Sequence, residues 1–323
     1  MKPITFLTLG AALIAASPAL AQSPADACQS QMHFAVVAHG GEISQPVDNP
    51  RRLKVMKDVL AVARQKLADG GASLDVVEFI VRSFEDSGAF NAGKGAIADR
   101  AGIVETDASI MDGRDQSAGA VASMTAIKNP VHAARLVMEK SPHVLMVGDR
   151  GQAFVESIGA ESVPPEYFSN TRKPGKVVDH GTVGAVALDR CGNIAAATST
   201  GGYDAKIPGR VGDSPIVGAG VYADDKTAGF SATGHGEYFI RFSIAKDVAD
   251  RMEYGGQTMK AAMTADLHDK LGTFKDRDGA LIGIDRAGHI VTMWNSVGLF
   301  RGFATDEEAP VTAEYAGPTE SRK

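Results

Sequence analysis

The sequence predicts an α+β fold in which sheets are covered by helix layers, a four-layer αββα arrangement, and three features predict it. Strand-like runs such as "TVGAVAL" and "NIAAATST" are apolar on both faces, so each lies between two other layers. Short turns join neighbouring runs into hairpins, and helical patterns lie toward both ends of the chain. An apolar fraction of 44% over 323 residues is ample for the core that such layers require.

The chain opens with "MKPITFLTLGAALIAASPALAQ", where Lys2 precedes an apolar stretch from Ile4 to Ala16 and the small-residue pattern Ala19-Leu20-Ala21. This predicts a secretory signal peptide over residues 1–21, cut before Gln22. The apolar stretch is shorter than the roughly 20 residues of a spanning helix. The expected destination is periplasmic or secreted, with no membrane contact after signal cleavage.

"HFAVVAHGGE" then reads as a strand ending at a double glycine. "DNPRRLKVMKDVLAVARQKLADGG" reads as a helix with Asn49 as N-cap, Pro50 in the first turn and Gly70 as its stop. A second helix follows over about Ser73 to Asp86. Short strands are expected from "FNAGKGAI" to "ETDASIMDG" and in "GAVASMTAI", before "NPVHAARLVMEK" repeats the Asn-Pro helix start. From about 160 to 181 the chain loses apolar periodicity and gathers Pro, Ser, Lys and Arg, the composition of an exposed linker. Strands resume in "HGTVGAVALDRCGNIAAATSTGG", "SPIVGAGVYADD" and "TAGFSATG". Helices are expected over about Glu237 to Tyr254 and Gln257 to Leu271, and "GALIGIDRAGHIVTMWNS" closes as a hairpin whose "IDRAGHI" echoes the earlier "LDRCGNI". The polar tail after about residue 304 is expected to be partly disordered.

A net charge of -6 without a basic run excludes a nucleic-acid footprint and a polybasic membrane patch, which leaves a small molecule as the expected partner. Only Cys28 and Cys191 occur, so no disulfide framework underlies the core. The eight histidines form no H-E-x-x-H or comparable metal-binding pair.

Threonines at the outer ends of the central hairpin raise a chemical reading. With the turn at Arg190 to Asn193, counting outward places Thr182 opposite Gly201 and beside Thr200. A cut between Gly181 and Thr182 would leave Thr182 with both a hydroxyl and a free amine. An α-amine has a pKa of about 7.7 to 8.0, so one residue would supply nucleophile and base near neutral pH. Taken alone, a strand-initial threonine is an ordinary β-former.

Other segments add to it. "HGTVGAVALD", "TSTGG", "IPGRVGDSPIVGAG", "SATGHGE", "FNAGKGAI" and "ETDASIMDG" together resemble the isoaspartyl peptidase/L-asparaginase family of N-terminal-nucleophile hydrolases, in order from about Phe34 to Phe303. The resemblance implies an αββα sandwich and autoproteolysis into an α chain (22–181) and a β chain (182–323), assembled as an (αβ)2 heterotetramer. The implied activity is hydrolysis of β-aspartyl dipeptides and of L-asparagine's side-chain amide. It implies Thr182 as nucleophile, Thr200 as its hydrogen-bonding partner and Asn91 nearby, with Thr233 and Gly234 as oxyanion stabilisers. Arg210 and Asp213 are implied to hold the substrate's carboxylate and amine across the Val211-Gly212 spacer, with Gly236 assisting and His235 on the pocket wall. No cofactor is implied for catalysis. The carbonyls of Phe84, Glu85, Ser87, Phe90, Ala92 and Lys94 are implied to hold a structural sodium ion. "HGGEIS" departs from the pattern, placing Glu42 where a small residue is usual.

Glycosylasparaginase shares the implied fold and terminal threonine but carries an aspartate where this chain has Gly181, so it ranks second. An S-x-x-K at Ser243 offers a serine-hydrolase reading without the accompanying Lys-Thr-Gly. A non-catalytic solute-binding protein would need two lobes of alternating strands and helices, whereas the closing third here is hairpins.

Overall fold

The first strand does not end at its double glycine. β1 (Ala35–Ile43) continues through it, and its ladder with β11 (Gly298–Thr305) shifts register between His39 and Glu42. Gly41 has φ +104, a left-handed conformation that lets the strand bulge and carry on. The computed structural model describes residues 33–45, 48–168, 181–272, 278–315 and, as backbone, 319–322. The expected signal peptide, Cys28 and the linker from 169 to 180 lie outside them.

Mixed helix and sheet is the observed class. The larger sheet has eight strands, ordered β12 (Val311–Ala313), β11, β1, β5 (Val183–Leu188), β6 (Ile194–Thr200), β2 (Thr106–Asp112), β3 (Ala118–Met124) and β4 (Leu145–Val147). Only its β3–β4 pair is parallel among these described strands. The smaller sheet has five strands, ordered β13 (Thr319–Arg322), β10 (Ile290–Trp294), β9 (Gly279–Asp285), β8 (Ala228–Gly234) and β7 (Val221–Ala223).

Strand alternation divides the core in two. Val36 and Ala38 face one way, packing with Met56 and Leu60 of α1 (Pro50–Ala68), Val77 and Ile80 of α2 (Ser73–Ser87) and Val137 of α3 (Pro130–Lys140). Ala35 and Val37 face the other way, into a cluster with Phe230, Ile282 and Ile284 of the smaller sheet. That cluster also takes in Val248 of α6 (Ile244–Glu253) and Met263 of α7 (Met259–Thr264).

Helix α1 starts as its sequence signals: Asn49 accepts from the Arg52 N–H at 3.2 Å, and Pro50 occupies the first turn. The second Asn-Pro start is used differently. Asn129 donates from Nδ2 to Asp86, and the buried Glu85 carboxyl accepts the Val131 N–H at 3.0 Å, capping α3 from a neighbouring helix. The expected helix over 237–254 is broken at Ser243 (φ 49) into α5 (Gly236–Phe242) and α6, and α7 continues into a π-turn over Ala265–Lys270. Helix α4 (Gly148–Ser157), which sequence patterning did not mark, begins at Gly148 directly after the three-residue strand β4.

The two echoing segments form the same turn. Asp189 accepts from the N–H groups of Cys191 and Asn193, and Gly192 has φ +81. Asp285 accepts from Ala287 and His289, and Gly288 has φ +84. Cys191 is disulfide-bonded, and the chain has one other cysteine, Cys28. The described part of the tail after residue 304 includes two strands: β12 pairs with β11 and β13 with β10, so both sheets draw an edge strand from it. No helix among the described residues is long and apolar enough to cross a membrane.

Candidate active site

The three-residue turn Arg190–Gly192 sets the β5–β6 register one residue from the count made on the sequence. Leu188 faces Ile194 and Val183 faces Ser199, so Thr182 meets Thr200 directly. Their Oγ1 atoms are 2.9 Å apart, and the Gly202 N–H donates to Thr200 Oγ1 at 3.0 Å. With one lone pair of Thr200 already engaged, the shared proton between the two hydroxyls is the remaining freedom of the pair.

Asn91 is the second fixed point. Its backbone N–H donates to the Gly181 carbonyl at 3.1 Å, and its backbone carbonyl accepts from Gly201 at 3.0 Å. Its side chain donates to the Gly202 carbonyl and accepts from the Ile97 N–H. A Cβ on Gly201 would lie 2.5 Å from Asn91 Oδ1, so "TSTGG" needs glycine there for close approach. The carbonyl of Gly181, the residue before Thr182, is thereby held and polarised by the Asn91 N–H.

Behind Thr182 runs a buried polar chain that the sequence did not announce. His39 Nε2 lies 2.9 Å from Ser231 Oγ, Ser231 lies 2.7 Å from Thr198 Oγ1, and Thr198 donates to the Gly220 carbonyl. Burial pushes the His39 imidazole down to about 3, with a hydrogen bond to the Thr182 backbone pulling the other way, so the ring is neutral at working pH. A lone histidine before two glycines carries no signal for this contact. Gly184 makes room for the chain: a Cβ there would lie 1.9 Å from Ser231 Oγ and 2.5 Å from His39 Nε2. Gly184→Ala is therefore expected to lower stability by roughly 1–3 kcal/mol through overpacking, read as a fall in Tm, and adding Ser231→Ala should recover part of it.

On β8, Thr233 is 1% exposed and its Oγ1 has no hydrogen-bond partner among the described residues. Gly234 follows at φ +135, and a Cβ there would lie 2.6 Å from the Asp278 carbonyl. A buried hydroxyl without a partner costs free energy unless something else uses it. His235 donates its N–H to the same Asp278 carbonyl and presents its ring edge to Tyr238.

Arg210 and Asp213 meet at Gly236, where a Cβ would lie 2.5 Å from Asp213 Oδ1 and 3.0 Å from Arg210 Nη2. A Cβ on Gly212 would lie 2.6 Å from Arg210 Nη1, so the Val211-Gly212 spacer folds the guanidinium back over itself. The two do not form an ion pair. Arg210 instead bonds Glu237 through both carboxylate oxygens, at 2.9 and 3.0 Å, and stacks over Tyr203 at 4.4 Å. Asp213 is buried and its Oδ2 has no partner among the described residues. Burial pushes its carboxyl up to about 7, against its own backbone N–H and the Arg210 charge.

The loop from Phe84 to Lys94 is tightly curled. A Cβ on Gly95 would lie 2.0 Å from the Phe90 carbonyl, and Gly93 has φ +50. Within it the Phe84 carbonyl accepts from Ser87 Oγ, the Ser87 carbonyl from Arg51 and the Ala92 carbonyl from the Gly95 N–H, while Lys94 lies over the Tyr167 ring. Ser243, the serine of the S-x-x-K match, lies at the α5–α6 break, and its Lys246 is paired with Asp250.

Comparison with known proteins gives the family. The family model described as asparaginase matches residues 32–177 and 169–314. An isoaspartyl peptidase of Escherichia coli is 43% identical over 286 residues, covering 82% of this chain and 89% of that protein. A human isoaspartyl peptidase/L-asparaginase is 39% identical over 289 residues, covering 83% and 92%, and a putative one from Dictyostelium discoideum is 37% identical over 322 residues, covering 83% and 92%. A match that spans nearly all of the described chain, with relatives of one kind from bacterium to human, establishes that it belongs to the isoaspartyl peptidase/L-asparaginase family of hydrolases.

Proposed function

We propose that this chain is a threonine hydrolase that cuts itself between Gly181 and Thr182 and then hydrolyses β-aspartyl dipeptides and the side-chain amide of L-asparagine, releasing L-aspartate. The observation that carries the reading is the Thr182–Thr200 hydroxyl pair at 2.9 Å, beside a Gly181 carbonyl held by the Asn91 N–H. In the self-cut, Thr182 Oγ1 attacks the Gly181 carbonyl carbon, and the Asn91 N–H meets the charge that develops on its oxygen. The C–N bond breaks, the amine takes a proton, and water hydrolyses the resulting ester. The new α-amine then serves as base for the same hydroxyl.

In turnover, Thr182 Oγ1 attacks the β-carbonyl of the substrate. Thr233 Oγ1 and the Gly234 N–H stabilise the oxyanion, the amine leaves, and water releases aspartate from the acyl-enzyme. Arg210 exchanges Glu237 for the substrate's α-carboxylate, since its planar fork already makes a bidentate contact of that kind. Asp213 takes the α-ammonium with the oxygen that now lacks a partner. The reading includes the αββα sandwich, supported by the two core clusters, and (αβ)2 assembly after export to the periplasm or medium. It also includes a structural sodium ion at the Phe84–Lys94 loop. Hard carbonyl oxygens crowded by Gly93 and Gly95 suit such an ion, and those that already accept from Arg51, Ser87 and Gly95 would share their lone pairs.

The test is the isomeric pair β-Asp-Leu and α-Asp-Leu. Only the β isomer places its scissile carbonyl beside Thr182 while both charges are gripped, so kcat/KM for it should exceed that for the α isomer by 10²-fold or more, on the order of one lost charged contact plus misplacement. Equal turnover would remove both the clamp and the substrate class. A pH signature follows with its sign fixed by Asp213. Its carboxyl keeps a proton at pH values well below about 7 and loses it as pH rises through that value. The ammonium grip therefore strengthens with rising pH, and KM for β-Asp-Leu should fall between about pH 6 and pH 8, a fall absent in Asp213→Asn.

A further inference from the structure

Glu42 is buried, 1% exposed, yet it belongs to no part of the chemistry described above. Its ladder partner on β11 is Leu299, and directly opposed residues of an antiparallel pair send their side chains to the same face. Leu299 shares its face of β11 with Phe303, the ladder partner of Val37, and both belong to the core cluster that takes in Ile282 and Ile284 of β9. The bulge at Gly41 thus turns Glu42 into the same inter-sheet space as His39 and Thr233, at the end where Thr182 immediately precedes β5.

One buried cation lies on this face of β11, Arg301 opposite His39, and it sits over the Trp294 ring and donates to the Leu299 carbonyl. Glu42 faces the carboxyls of Asp278, just before β9, and Asp213, and both act to hold its proton on. Arg210 is the cation beside Asp213, and its fork is committed to a carboxylate. Glu42 Oε2 and Asp213 Oδ2 both lack a hydrogen-bond partner among the described residues. Two such atoms in one buried space would ordinarily be relieved by a cation or a donor. The aspartyl half of a substrate brings only one cation, its α-ammonium, which Asp213 takes. A second can come from the leaving amine's side of the molecule.

We propose that Glu42 is a specificity residue that selects β-aspartyl dipeptides whose leaving amino acid carries a positively charged side chain, an ammonium or a guanidinium. This deepens the β-aspartyl reading above and rests on it. Glu42 and Asp278 together form the acceptor, Glu42 from β1 and Asp278 from the segment entering β9. Burial first, then Asp278 and Asp213, push the Glu42 carboxyl up to about 8, so it is neutral in the empty site at pH 7. Its ionised form, which attracts the cation, gains population as pH rises through about 8. Preference for a basic leaving group is therefore expected to grow with pH.

The experiment compares kcat/KM for β-Asp-Lys and β-Asp-Leu on one preparation, in wild type and Glu42→Gln, at about pH 6.5 and pH 9. Both peptides keep their leaving-group charge over this span, and taking the ratio cancels any general loss of activity or folding. Wild type should favour β-Asp-Lys by roughly tenfold at the higher pH, in the range of one charge-assisted hydrogen bond, and by less at the lower. Glu42→Gln, which matches the shape but stays neutral, should bring the ratio near one at both. A wild-type ratio near one, or a ratio that Glu42→Gln leaves unchanged, overturns the assignment while β-Asp-Leu turnover upholds the underlying activity. Turnover of neither peptide overturns both.

Discussion

Purified wild-type protein is expected to run on a denaturing, reducing gel as two chains, the second with Thr182 at its N-terminus, while Thr182→Ala runs as one intact chain and hydrolyses no β-aspartyl substrate. Alanine removes the Thr182 hydroxyl that pairs with Thr200, and with it both the self-cut and the amine that the cut would create. Thr182→Ser should cut, but more slowly. Serine keeps the hydroxyl and loses the methyl that restrains χ1, so the productive rotamer facing Thr200 is less populated. Active protein composed only of intact chains would refute the mechanism, and N-terminal sequencing of the second chain settles the position of the cut.

Thr233→Val separates catalysis from packing. The hydroxyl is buried without a partner among the described residues, and valine replaces it with a methyl of similar shape, so Tm should hold or rise. If Thr233 meets the oxyanion, kcat should nevertheless fall by about 10²-fold or more, with a smaller change in KM, because such a donor acts in the transition state. Self-cleavage is scored separately on the same gel. A variant of unchanged stability and unchanged kcat would assign Thr233 to packing alone.

Much of this site is legible in the sequence because close approach leaves glycines behind. "TSTGG" needs Gly201 against Asn91, and "GHGE" needs Gly236 against both Arg210 and Asp213. The repeated Asp-x-x-Gly turns were legible for a similar reason, since a carboxylate accepting two N–H groups and a left-handed glycine each demand a particular residue. What escaped was decided by tertiary partners. The hairpin register turned on a single residue of turn length, which moved Thr182 from beside Thr200 to directly opposite it. Glu237, not Asp213, holds the Arg210 fork, a choice made by the way α5 begins after Gly234. His39 and Ser231 come together from strands 192 residues apart, a contact with no local signature. The break at Ser243 carries neither glycine nor proline, so propensity gave no warning of it.

The strand order of the larger sheet has a consequence for the life of the molecule after a cut at Thr182. Reading across it, β12 and β11 come from beyond the cut, β1 from before it, β5 and β6 from beyond it, and β2, β3 and β4 from before it. The two halves alternate across one sheet, so neither product leaves without breaking its ladders, and neither can rebuild the sheet alone. Before the cut, renaturation is a first-order event whose rate ignores dilution, because the chain itself keeps the strands at high effective concentration. After it, with the Cys191 disulfide reduced, the same sheet must be assembled by two molecules that meet in solution, and recovery should slow in proportion to dilution. The cut enzyme would then persist as a kinetically trapped object, holding a structure that only its uncut parent could form unaided.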